Sequence, residues 1–126
     1  MAFTPANIPL TLWVGNHATI VRGFKSTVDG VDTPIDMSSK AVYFTVFNGE
    51  TAVLTKSTTA GSVTITGTYS EQVSVTLTPA ETRTLAALTV ADGDSLMHEI
   101  EVRETGVEST WVYGKVKLKG GDNVDA

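Results

Sequence analysis

The residues able to do chemistry are few, and they do not gather. The chain has two histidines, His17 and His98, and no cysteine. Without thiols, disulfides, thiolate metal ligands and cysteine nucleophiles are removed together. A zinc centre needs three or four ligands, and two histidines far apart in sequence supply at most two. His98 alternates with Leu96, Ile100 and Val102, which predicts an interior imidazole. His17 follows Gly15-Asn16 and reads as an exposed turn residue. Two acidic turns, Asp29-Gly30-Val31-Asp32 and Asp92-Gly93-Asp94, carry the oxygens that calcium would use. Neither has the spacing of a dedicated calcium loop, and tight turns select Asp and Gly for backbone reasons. No serine sits in a Gly-flanked nucleophile elbow, and the carboxylates are too scattered to identify a glycosidase-type pair. Gly120-Gly121 follows the last expected strand and does not form a phosphate loop. We therefore expect no catalytic residue, no metal and no cofactor.

The elements that would position any site are strands. Threonine (20) and valine (16) dominate the 126 residues, which favours extended structure. A chain of this length forms one domain that can bury a core without staples. With a net charge of −5 and no long Lys/Arg cluster, phosphate-directed nucleic-acid binding is not expected. The opening MAFTPANIPLTLWVG has two prolines and no basic region, unlike a signal peptide. No apolar run approaches the roughly 20 residues that cross a bilayer. The absence of cysteine leans towards folding inside the cell.

The clearest pattern is Gly61–Leu88. Val63 and Ile65 point one way and Thr64 and Thr66 the other; Val73, Val75 and Leu77 repeat this against Gln72, Ser74 and Thr76. Thr78-Pro79-Ala80-Glu81 then reads as a capping box opening a helix over Pro79–Leu88. Upstream, Leu10, Leu12 and Val14 alternate before the Gly15-Asn16 turn, and Ala18–Lys25 forms a second strand. Ser26–Asp36 is polar, with Asp29-Gly30 as its turn and Pro34 as a breaker. Ala41–Phe47 is apolar on both faces and predicts a central strand, joined through Asn48-Gly49 to Thr51–Lys56. With Leu96–Glu104 and Thr110–Lys119, the pattern predicts eight or nine short strands and one short helix, the spacing of an all-β sandwich or barrel.

For the last two strands to turn both apolar sets inward, residues of like parity must pair. A loop centred on Val107 would set Glu99 opposite Lys115, Glu101 opposite Tyr113 and Arg103 opposite Trp111. That leaves an outward row of Trp111, Tyr113, Lys115, Lys117 and Lys119. Trp13, Tyr43 and Phe47 also lie on parities opposite to the core set. Exposed aromatics are favoured binding anchors, so Trp111, Tyr113, Lys115, Lys117, Trp13, Tyr43 and Phe47 are the candidate interface.

The GxVTI strand, the Val73–Thr82 strand-to-helix turn and the closing Tyr113–Leu118 segment together resemble the small immunoglobulin-like sandwich modules of tailed-bacteriophage structural proteins, such as baseplate upper-protein N-terminal domains and fibre adaptors. The resemblance spans residues 10–119, with 1–9 as an extended arm and 120–126 as a polar tail, and it implies an all-β antiparallel immunoglobulin-like sandwich of seven to nine strands with one short helix near residues 79–88. It implies a non-enzymatic virion protein of the tail or baseplate, assembled in the host cytoplasm, contacting other virion proteins and itself in a symmetric homo-oligomer. With no receptor-binding or shaft region after residue 126, it implies a stand-alone adaptor or connector. Two further expectations remain open. One is a carbohydrate- or receptor-binding module using Trp111 and Tyr113 to stack sugars. The other is a capsid decoration or neck protein.

Overall fold

The computed structural model describes residues 5–88, 96–104 and 107–120. Its elements are β1 (Ala6–Asn7), β2 (Leu10–Trp13), β3 (Ala18–Gly23), β4 (Lys25–Val28), β5 (Val31–Pro34), β6 (Ala41–Asn48), β7 (Thr51–Ser57), β8 (Val63–Thr66), β9 (Gln72–Leu77), α1 (Pro79–Leu88), β10 (Leu96–Glu104) and β11 (Val107–Lys119). The front sheet runs β1-β11-β10-β6-β7, with β2 also on β11; the back sheet runs β3-β9-β8. These orders are those of the two layers of an immunoglobulin-type sandwich, with the first strand laid on the last. The segment expected as an N-terminal arm thus contributes Ala6–Asn7 to the sheet.

Two local features raise the strand count to eleven. Pro9 cannot donate to a ladder, so the first strand divides into β1 and β2, both parallel to β11. The polar Ser26–Asp36 segment is a hairpin of its own rather than a loop. Asp29 and Gly30 both adopt positive φ (51° and 78°), the conformation of a tight turn matched to strand twist, and Val28 faces Val31 across it. Lys25 and Thr27 engage Asp32 there.

The expected alternation makes the core. Val42, Phe44 and Val46 of β6, Ile100 and Val102 of β10 and Val112 and Val116 of β11 meet Ile20, Val63, Val73, Val75 and Leu77 of the back sheet. The helix spans the expected residues. Glu81 N–H donates to Thr78 Oγ1 at 3.2 Å, and the Glu81 carboxylate accepts from Thr78 N–H at 2.9 Å. Glu81 also meets Lys56 of β7 at 2.7 Å. Buried Thr82 accepts Gly15 N–H at 3.0 Å, tying the helix to the β2–β3 turn. No helix of the described residues is long and apolar enough to cross a membrane.

The closing hairpin departs from the expected register. Glu99 pairs with Tyr113 and Met97 with Lys115, two residues away from expectation, while like parity is kept. After Ile100–Val112 the ladder shifts, so that Glu101 pairs with Thr110 and Arg103 with Glu108. Trp111 is the extra residue of a bulge. With the bulge absorbing one residue, only residues 105 and 106 separate the paired Glu104 and Val107, and the expected odd-length loop is not used.

Gly114 marks a close crossing. A Cβ there would come within 2.4 Å of the Ile8 carbonyl oxygen and 3.0 Å of Pro9 N. Ile8 N–H donates to Tyr113 O at 2.7 Å, which holds the crossing in place. Neither backbone can yield cheaply, so Gly114→Ala should cost about 2–3 kcal/mol. Equilibrium urea unfolding checks this; unchanged stability would contradict the crossing.

Candidate interaction surface

Residues directly opposite in a ladder share a face, so register decides what meets on the solvent side of the front sheet. One row holds Tyr113, Glu99, Thr45 and Thr55; the next holds Lys115, Met97, Phe47 and Ala52. Below them come Lys117 with Thr11, then Lys119 with Trp13. Above lies Glu101 with Tyr43, then Arg103 with Ala41. Six of the seven candidate interface residues, Trp13, Tyr43, Phe47, Tyr113, Lys115 and Lys117, therefore occupy one continuous face.

Trp111 does not. The bulge turns it inward, where it is only 7% exposed and meets Phe24 edge-on at 5.2 Å. It forms the floor of a cleft of about 570 Å³ beneath the β4–β5 hairpin, beside Ile35 and Val102. A sugar-stacking platform made of Trp111 and Tyr113 is thus not formed.

The face itself is mixed in character. Phe47, Met97 and Tyr113 rim a shallow depression of about 470 Å³ with Glu50, Glu99 and Thr110. Thr110 Oγ1 donates to Glu99 at 3.1 Å. Arg103 lies 4.0 Å from the centre of the Tyr43 ring and pairs with both Glu101 and Glu108. Glu101 heads the reasons that the guanidinium pKa is raised, so the charge stays fixed. Lys115, Lys117 and Lys119 are exposed and form no ion pair among the described residues. At 55% exposure, Trp13 closes the lysine end.

Glu50, Met97, Glu99 and Thr45 join this face without having been candidates. For Met97, Glu99 and Thr45 the signal was parity, but which strand lay beside which was needed to gather them; Glu50 joins from the β6–β7 turn. The bulge also had a signal: adjacent apolar Trp111-Val112 interrupts the alternation of β11.

Behind the face, His98 lies in the core, fully buried. Its Nδ1 is 2.9 Å from Gly114 O and so carries the proton in the neutral ring; its centroid is 5.8 Å from that of Phe44. Nε2 is buried with no partner among the described residues. Burial chiefly, and then the Arg22 charge, push the pKa down from 6.5 to about 4, against the pull of the Gly114 carbonyl. His17 is exposed, in its turn position. In the Asp29–Asp32 turn, Asp32 is engaged by Lys25, which lowers its pKa. The Asp92-Gly93-Asp94 turn and residues 121–126 lie outside the described residues.

Compared with protein-family models and with curated protein sequences, the chain matches none.

The buried imidazole has a consequence in acid. Between pH 6.5 and about 4 the unfolded chain binds a proton that the folded chain refuses. The stability that His98 contributes is therefore complete above pH 6.5 and lost as pH falls towards 4, by up to about 3 kcal/mol. Urea unfolding from pH 7 to 4.5 should show this slope, and His98→Gln, which can still donate to Gly114, should flatten it. An equally steep slope in that variant would contradict the assignment.

Proposed function

We propose that this chain is a non-enzymatic structural subunit of a tailed-bacteriophage virion, an adaptor or connector of the tail or baseplate acting by protein–protein contact. The observation that carries the contact role is the front sheet's outer face. Three aromatic rings (Tyr43, Phe47 and Tyr113) sit half-buried on the strand ladder, flanked by Trp13 and three lysines. Rings held on strands lose little side-chain freedom when covered, which suits them as anchors. The assignment to a virion rests on the resemblance carried by Gly61–Ile65, Val73–Thr82 and Tyr113–Leu118, whose strand-to-helix geometry is that of the sandwich described above.

The test is incorporation. Gradient-purified particles from infected cells should contain the chain at a fixed stoichiometry. Phe47→Ala with Tyr113→Ala should fold, as judged by thermal melting, yet reduce incorporation at least about tenfold, the loss expected when two anchors are truncated. Absence of the wild-type chain from particles would overturn the virion reading. Unimpaired incorporation of the double variant would overturn the role of this face.

A further inference from the structure

The outer face of the front sheet has a lengthwise charge pattern, and that pattern selects its partner. Lys115, Lys117 and Lys119 follow one another along β11 at one end. Glu99 and Glu101 follow one another along the neighbouring β10 towards the other end, where Glu108 faces Arg103. Between them, the Tyr113–Glu99–Thr45 and Lys115–Met97–Phe47 rows form a half-apolar belt.

We infer that the occupant of this face is a second copy of the same chain, related by a two-fold axis lying in the contact plane and running across the strands between those two rows. This rests on the contact role proposed above and names its partner. Rotation about that axis exchanges the two rows, so Met97 comes over Glu99, Phe47 over Thr45, and Lys115 over Tyr113, one strand from Glu99. Lys117 reaches Thr110 and, one strand across, Glu101. Glu50, at the β6–β7 turn, comes over the Arg103–Tyr43 stack. An axis along the strands would instead keep the lysine end of one copy at the lysine end of the other. Of these two axes the crosswise one joins opposite charges, and a contact of this kind is isologous and closes at two copies.

Size agrees with a modest dimer. Five strands about 4.8 Å apart, with face residues about 6.8 Å apart along each, present roughly 600–700 Å². That is slightly below the roughly 800 Å² per partner of a standard specific interface. The three lysines are the features that a second copy accounts for, since among the described residues no carboxylate pairs with them.

Complementary charge reversal tests this. Sedimentation of the wild-type chain at low salt should show a dimer at tens of micromolar that weakens as salt rises, as expected for paired exposed charges at about this area. Lys115→Glu with Lys117→Glu should be monomeric, and so should Glu99→Lys with Glu101→Lys, each with a cooperative melt. An equimolar mixture of the two should recover a one-to-one dimer. A monomeric wild type, a dimer indifferent to both reversals, or a mixture of folded variants that stays monomeric would each overturn the inference. If the acidic-end variant fails to fold, wild-type dimerisation that survives the exposed lysine reversal alone is enough to do so. A monomer that still enters particles would sink the dimer and leave the contact role standing. A charge-dependent dimer absent from particles would sink the virion reading and leave the dimer standing.

Discussion

The front sheet depends on a missing side chain. At Gly114 the chain of Ile8 and Pro9 passes so close to β11 that there is no room for a Cβ. Because it can pass, the first strand lies on the last, and Leu10 and Leu12 enter the core beside Val116. The Gly114 carbonyl also holds the His98 imidazole in the middle of the same sheet. One small position thus joins three strands, through its missing Cβ and its carbonyl, and side chains above and below it inherit their places. A carbonyl that serves a buried ring is also one less orphan acceptor in the interior.

Much of this was legible in the sequence, and what was not has physical causes. Alternation located β8 and β9 and told their core face from their outer face. The Thr78–Glu81 box located the helix because its two reciprocal hydrogen bonds need only residues three apart. The interior place of His98 followed from its neighbours' parity. Register was harder. A bulge at Trp111 moves every pair beyond it, and strand patterning specifies parity without specifying offset. Trp111 consequently read as an outward anchor while it serves the core. The Ser26–Asp36 stretch showed its Asp29-Gly30 turn but not its two strands, because a hairpin standing off the main sheets buries little and leaves almost no apolar trace.

The contact face shows the same division. Strands β2, β6 and β10 announced which residues point outward, yet the adjacency of β6 and β10 that sets Phe47 beside Met97 depends on strand order, a long-range property. The two faces of this sheet carry opposite demands. Inward positions are close-packed Val, Ile and Phe, whereas outward positions mix threonine with rings and charges. Such a surface remains soluble when bare and can still be covered, which a uniformly apolar face could not do.

The pairing of β1 and β2 with β11 bears on how the chain is made. Ala6 finds its partner Val112 about a hundred residues later. During synthesis the first strand leaves the ribosome long before the last exists, and no other described strand offers it a ladder. The back sheet and the β6–β7 hairpin, whose partners are closer in sequence, can assemble while residues 6–13 wait. Closure of the sandwich therefore waits for β11 to emerge. Until then the edge of β10 that takes β11 and the inner face meant for Leu10 and Leu12 stay open, so the newborn chain is most vulnerable to mispairing before β11 emerges.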